Sequence, residues 1–247
     1  MMRVHAITDP GVSREHNEDA VFAVAPARVG FDMLLVVADG LGGHAAGEVA
    51  SGIAVEHFRN FAESLPDMDT DTPEAMLKQV IRDIHDDIKK SADSDPIKRG
   101  MGTTIVVAAV FQDNLYTAWV GDSRAYLVRN NAAQRLTEDH SLVAELVRNG
   151  VITEEQAKKH SRRHVITRCL GQSEHTVQAD AAVTRLEPGD RVLLCSDGLT
   201  AHLNDADIAC IISECDSPES AAEALVGTAN KRGGSDNITV AVFFNGL

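Results

Sequence analysis

Acidic residues stand at the ends of apolar runs in this 247-residue chain. The run Leu34-Leu35-Val36-Val37-Ala38 leads into Asp39-Gly40, Tyr116 to Val120 into Gly121-Asp122, and Val192 to Ser196 into Asp197-Gly198. A fourth acid, Asp236, precedes Asn237 and the run Ile238 to Phe244, while Asn17-Glu18-Asp19 precedes Val21. One Asp-Gly at a strand end is an ordinary turn. As a set they say more. If the strands share one sandwich, several carboxylates converge on one edge, and like charges about 4 Å apart repel by about 4 kcal/mol per pair at an intermediate dielectric. A cation has to neutralise them. Oxygen ligands without nearby Cys or His pairs select Mg²⁺, Mn²⁺ or Ca²⁺ over zinc or copper, and glycine beside the acid lets a backbone carbonyl approach an ion. More acids are present than one ion needs, which points to at least two. Arg14, four residues before Glu18, has a planar donor fork that matches a phosphate oxyanion, so the pattern suggests phosphoryl chemistry. A surface ion pair with Glu15 or Glu18 is the plainer reading of that arginine.

The elements that must position these residues follow from periodicity. Val4 to Thr8, Ala20 to Ala25 and Asp32 to Ala38 read as strands, with breakers at Asp9-Pro10-Gly11, Pro26 and Gly30. Val49, Ile53, His57 and Phe61 lie four apart and mark one face of an amphipathic helix. After the polar stretch Leu65 to Pro73, a second helix is written by Leu77, Val80, Ile81, Ile84 and Ile88, with Thr72 as N-cap before Pro73, and the two helices are expected to pack side by side. Thr103 to Phe111 and Leu115 to Val120 form a hairpin around Gln112-Asp113-Asn114, and Arg124 to Val128 is expected to continue that sheet. Ser141 to Arg148 and Glu154 to Lys159 are weakly helical, His160 to His164 has no period, and this region reads as an exposed insert. Val177 to Leu186 and Arg191 to Cys195 are strands around a tight turn, helices follow at Ala206 to Ile212 and Glu219 to Ala229, and Ile238 to Phe244 closes with a strand. Strand groups alternating with helix pairs suggest sheet on sheet with helices outside, in a single domain.

Composition excludes several classes. With 23 Lys plus Arg against 37 Asp plus Glu the net charge is −14, which repels phosphate backbones, and 4% aromatic residues leave few stacking platforms, so no nucleic-acid partner is expected. No apolar run approaches the roughly 20 residues of a membrane-spanning helix, and no signal core precedes Asp9, so a cytosolic protein without membrane insertion is expected. Cys169, Cys195, Cys210 and Cys215 form no Cys-x-x-Cys pair and read as four buried thiols. Asp39 to Gly47 also has the look of a dinucleotide-binding turn. No Lys-Ser or Lys-Thr follows, however, and the regular strand-helix alternation of a parallel sheet is missing. A calcium-stabilised structural protein is disfavoured because no twelve-residue EF-hand loop is present.

Taken in order, Arg14-x-x-Asn17-Glu18-Asp19, Asp39-Gly40-x-Gly42-Gly43-His44, Gly102-Thr103-Thr104, Gly121-Asp122-Ser123-Arg124, Ser196-Asp197-Gly198-Leu199 and Ser235-Asp236-Asn237-Ile238-Thr239 resemble the motifs of the metal-dependent type 2C Ser/Thr protein phosphatases (the PPM family), in its compact bacterial branch. Each fragment is weak alone, but the ordered set is specific and covers nearly the whole chain. The resemblance implies an α+β fold, a four-layer α-β-β-α sandwich of two mainly antiparallel sheets flanked by helix pairs, as one catalytic domain over residues 1–247. It implies two Mn²⁺ or Mg²⁺ ions and a possible weaker third. Asp39 would bridge two ions, Gly40 would bind through its carbonyl, Asp197 and Asp236 would complete one shell, Glu18 and Asp19 would hold waters of the other, and Asp122 with Asp197 matches the third. Arg14 matches the phosphate-binding arginine, Gly102-Thr103-Thr104 is structural, and about Leu146 to Gly171 matches a mobile flap, in which Arg162, Arg163 and His164 are candidate substrate contacts.

The implied activity is hydrolysis of phosphoserine and phosphothreonine monoesters by direct attack of a metal-bridging hydroxide, with Arg14 stabilising the oxyanions and no phosphoenzyme. The implied partners are phosphorylated proteins and a cognate Ser/Thr kinase whose action a monomeric phosphatase reverses. The alternative is a catalytically weak module that binds phosphoproteins. One departure stands out: many eukaryotic members carry a histidine after the Asp-Gly, as a general acid, where this chain has Leu41. His44 aligns with the bacterial Gly-Gly-His and is read as structural, while His5, His57 and His85 are read as packing or surface residues.

Overall fold

Period-two burial along the central strands dictates the layers. In the computed structural model, which describes residues 3–26, 30–42, 46–64, 72–172 and 177–246, β3 (Met33–Leu41) sends Met33, Leu35 and Val37 to one face and Leu34, Val36 and Ala38 to the other, all fully buried. β5 (Ile105–Phe111) divides the same way, with Val106, Ala108 and Val110 opposed to Ile105, Val107 and Ala109. Strands buried on both faces must lie between two other layers.

One sheet runs β2-β3-β5-β6-β9, where β2 is Asp19–Val24, β6 Asn114–Val120 and β9 Asp180–Arg185, and a two-residue strand β4 (Gly102–Thr103) also pairs with β3. The other runs β1-β11-β10-β7-β8, where β1 is Arg3–Asp9, β7 Arg124–Arg129, β8 Ala132–Arg135, β10 Arg191–Cys195 and β11 Ile238–Phe244. Each of these pairings is antiparallel. Met33, Leu35, Val106, Leu127, Val192, Leu194, Ala241 and Phe243 fill the space between the sheets. Helices α1 (Ala46–Glu63) and α2 (Pro73–Ser94) cover the first sheet through Ala54, Phe58, Leu77, Ile81 and Ile84. On the far side α5 (Asp197–Thr200), α6 (Asp205–Glu214) and α7 (Pro218–Lys231) cover the second through Leu199, Ile208, Ile212 and Leu225. The four-layer α-β-β-α sandwich is therefore observed. Burying each large aliphatic side chain contributes roughly 1.5–3 kcal/mol, so the three cores hold the layers in place. No helix among the described residues is long and apolar enough to cross a membrane.

Thr72 caps α2 by accepting the Ala75 N–H, with Pro73 in the first turn as expected. Most of the stretch before it, residues 65–71, lies outside the described residues, as do Gly43 and His44, on which the structural expectation for His44 fell.

Several expectations need correction. Arg124 to Val128 does not continue the hairpin's sheet: β7 pairs with β10 and β8 in the other one. The crossing occurs at Gly121 to Ser123, where Gly121 has φ +113° and a Cβ would lie 2.6 Å from Thr104, a geometry open only to glycine. Asp39-Gly40 does not end a strand either, because β3 runs on to Leu41 by pairing with β4. Thr104 interrupts the strand read over Thr103 to Phe111, and the strand expected over Val177 to Leu186 spans only Asp180–Arg185. Of the four thiols only Cys195 is buried; Cys210 is exposed and Cys169 and Cys215 are intermediate. The insert, with α3 (Leu142–Arg148) and α4 (Glu154–Lys158), is largely exposed, but Leu170 at its end is fully buried and bridges to Thr103.

Candidate active site

β2 and β3 bring two of the acids face to face, since Asp19 and Asp39 are register partners. Side chains directly opposite one another in an antiparallel pair project from the same face. The Asp39 backbone is clamped by the β4 segment. Its N–H donates to Thr104 Oγ1 (3.0 Å), and its carbonyl accepts from Thr103 Oγ1 (3.0 Å) and the Thr104 N–H (2.9 Å). Thr104 Oγ1 also bonds Ser123 Oγ at 2.7 Å, tying Asp39 to the loop that carries Asp122. Gly40 must lack a side chain, because a Cβ there would stand 2.4 Å from the carbonyl oxygens of Glu18 and Gly47.

The second sheet supplies Asp197 and Asp236. Asp197 leaves β10 to open α5, and Asp236 precedes β11. Asn237 fastens this end together: its Oδ1 accepts the Glu18 N–H (2.9 Å), and its Nδ2 donates to the carbonyls of Pro10 (3.0 Å) and His16 (2.9 Å). Asp236 Oδ1 accepts the Asn237 N–H, while Oδ2 accepts Arg14 Nη2 at 2.9 Å. Arg14 therefore pairs with Asp236 rather than Glu15 or Glu18, and its side chain stays 52% exposed, with donors left over for an incoming anion.

The electrostatics show that the acids share one neighbourhood. Burial and then the charges of Asp19, Asp197, Asp122 and Asp236 hold the Asp39 carboxyl well above the usual carboxylate range. Asp19 is pushed up to about 6 by burial, against hydrogen bonds from Thr239 and Ser196, with Asp197 and Asp236 adding to the rise. Asp122 is pushed up to about 8 by burial, then by Asp197 and Asp139. Asp197 is raised by burial and Asp236, offset by His164 and Arg124 and by a hydrogen bond with Asp39. Glu18 is raised by burial, against the Gly47 backbone and Arg14.

Asp19 Oδ2 and Asp122 Oδ1 are buried with no hydrogen-bond partner, and such orphans in an all-oxygen nest fit a hard divalent cation. Among the described residues no three His, Cys, Asp or Glu side chains already surround one ion-sized point, so the acids form a neighbourhood rather than a finished cage.

Arg162, Arg163 and His164 are exposed in the insert after α4. Of the three, His164 reaches the acids electrostatically, through Asp197. Sequence reasoning gave no role to Asn237, Ser123 or Ser51, whose Oγ donates to the Glu18 carbonyl at 2.6 Å. Asn237 and Ser123 lie inside quoted motifs, so a signal existed; Ser51 offered none. It also missed Asp139, which takes both arms of Arg124 (2.9 and 2.6 Å) beside Asp122.

A half-exposed arginine paired with Asp236 at the rim of a cluster of buried acids, at one end of a four-layer sandwich, is the setting in which the comparisons with known proteins place a serine/threonine protein phosphatase. The chain belongs to the protein phosphatase 2C family, whose model matches residues 12–230. It is similar to the serine/threonine phosphatase stp of Listeria innocua, 39% identical over 236 residues covering 94% of this chain and 92% of the relative. Its fold is similar to that of the Mycobacterium tuberculosis serine/threonine phosphatase PstP/Ppp, with a TM-score of 0.90 at 34% identity, covering 100% of this chain and 99% of the other. It is also similar to the catalytic domain of PstP in complex with two manganese ions, with a TM-score of 0.86 at 34% identity, covering 98% and 97% of the two chains.

Proposed function

We propose that this phosphatase hydrolyses phosphoserine and phosphothreonine monoesters in proteins by direct attack of water, with Mn²⁺ or Mg²⁺ held by Asp39, the Gly40 carbonyl, Asp197 and Asp236. Glu18 and Asp19 would serve a second ion, and Asp122 with Asp197 a weaker third. Bound ions supply an activated water and offset the charge of the phosphoryl group. The observation that carries this reading is the pairing of Asp19 with Asp39 across the strand register together with the buried oxygens Asp19 Oδ2 and Asp122 Oδ1, which have no hydrogen-bond partner; the upward shifts of Asp19, Asp39, Asp122 and Asp197, caused first by burial, agree with it.

The chain's own residues do the remaining work. Arg14 takes the phosphate oxygens, and Asp236 holds its guanidinium at the edge of the nest. Thr103 and Thr104 fix the Asp39 backbone, so that the carboxylate is aimed before substrate arrives. Leu41 brings no proton. The flap residues Arg162, Arg163 and His164 face solvent, where they would meet the protein that carries the phosphate. The activity would oppose a Ser/Thr kinase, acting as a cytosolic monomer. The test is phosphate release from a phosphothreonine peptide with Mn²⁺ and with excess chelator. Release with the metal and none with the chelator is expected, and no release with excess Mn²⁺ from any phosphopeptide overturns the reading.

A further inference from the structure

His140 is buried to 3% exposure, yet every polar atom it owns is engaged with an element that touches the site or the flap. Its backbone N–H donates to the Gly121 carbonyl at 2.9 Å, and its Nδ1 accepts the Gly121 N–H at 3.1 Å, so it grips both polar groups of the residue before Asp122. Because Nδ1 accepts, the ring proton sits on Nε2, which donates to Asp180 Oδ2 at 3.2 Å. Asp180 Oδ1 in turn accepts Arg168 Nη1 at 3.2 Å, and the His140 carbonyl accepts the Thr167 N–H at 2.8 Å. Trp119, the sole tryptophan, stacks on the ring with centroids 6.4 Å apart and donates its indole N–H to the Glu138 carbonyl. Burial keeps the imidazole below its usual pKa, consistent with this neutral tautomer.

We infer that His140 is a positioning residue that joins the peptide carrying Asp122 to the Thr167–Arg168 arm on which the flap returns, so one side chain sets both the aim of that acid and the seating of the flap. The two ring nitrogens divide the task. Nδ1 holds the Gly121 peptide, and Nε2, through Asp180, holds Arg168. The inference rests on the phosphatase reading for its consequence in turnover, while the clamp itself is observable without turnover.

The two halves can be separated. His140→Asn keeps an acceptor near Nδ1 and drops the bond to Asp180. His140→Gln reaches Asp180 with its amide and drops the bond from Gly121. Asp180→Asn, at a side chain 44% exposed, weakens the outer half without touching the core. Amide hydrogen exchange is followed by residue, Mg²⁺ binding by Trp119 fluorescence, and kcat and KM on a phosphothreonine peptide with Mn²⁺. In His140→Gln, exchange at Gly121 is expected to speed up about tenfold, and the Mg²⁺ concentration at half-change to rise about fivefold. In His140→Asn and Asp180→Asn, Gly121 keeps its protection, exchange around Arg168 speeds up as its side chain loses the hold through Asp180, and KM rises about fivefold. If instead all three variants lose protection uniformly across β5 and β10, with kcat and KM moving together, or if neither Gly121 nor the segment around Arg168 changes, His140 is only a packing residue and the inference is overturned. A wild-type protein that releases no phosphate sinks the phosphatase reading instead, and the exchange pattern still decides the clamp.

Discussion

Asp19 and Asp39 face each other across the register of β2 and β3, and Arg14, at the rim of the same end, is bonded to Asp236. The first sheet thus places two like charges together, with no ion pair to either among the described residues, and the metal-free protein should carry that repulsion as a stability deficit.

In chelator the deficit should grow with pH. The Asp19 carboxyl is raised from 3.8 to about 6 and that of Asp122 from 3.8 to about 8, so between the unfolded and folded values the native state keeps protons that the unfolded chain has released. Stability therefore falls as pH rises through that window. The urea midpoint in chelator should be lower at pH 8 than at pH 5, and saturating Mn²⁺ should flatten or reverse the slope. A midpoint that climbs with pH in chelator would contradict the shared neighbourhood of these acids.

Asp39→Asn separates catalysis from folding. Turnover of a phosphopeptide with Mn²⁺ should drop on the order of 10³-fold or more, because the acid at the centre of the set is gone. The same variant in chelator at pH 8 should melt higher than the wild type, since one of the crowded charges has been removed. An equal or lower melting temperature would show that Asp39 does not bear the repulsion assigned to it.

Arg14→Ala should lower kcat/KM by roughly 10²-fold, the usual cost of removing one preorganised donor. Arg14→Lys should recover only part of the loss, because a point charge cannot present two donors in one plane. Full recovery by lysine would reduce Arg14 to a general electrostatic contribution.

Asn237→Ala removes three side-chain hydrogen bonds that join the Pro10 to Glu18 segment to the start of β11. The expected cost is roughly 2–4 kcal/mol of unfolding free energy, read from denaturant midpoints, together with weaker Mn²⁺ binding by calorimetry. Metal affinity equal to the wild type's would detach this fastening from the nest.

Much of this was legible from residue order. Period-two and period-3.6 patterns placed the main strands and helices, and three acids beside glycines, with Asp236 beside Asn237, marked the segments that meet. What did not show in the chain depends on partners distant in sequence. The strand read at Arg124 to Val128 was real, but whether it stays in the hairpin's sheet is decided at Gly121, where Thr104 leaves no room for a side chain. The extension of β3 past Asp39 depends on a two-residue strand more than 60 positions away, too short to carry a period. Asn237, and His140 through its Nδ1, bond backbone groups, and any residue type can offer a carbonyl or an N–H, so those partners left no mark on composition.

Asp39 belongs to one sheet and Asp197 and Asp236 to the end of the other, and a layer of mainly aliphatic and aromatic side chains fills the gap that separates those sheets. The spacing of the charged groups is therefore inherited from the bulk of residues such as Leu35, Leu194 and Phe243. Trimming a methylene there would slide one half of the chemistry against the other, so lesions in the greasiest, least reactive part of the molecule should surface as defects in ion affinity before they surface as unfolding.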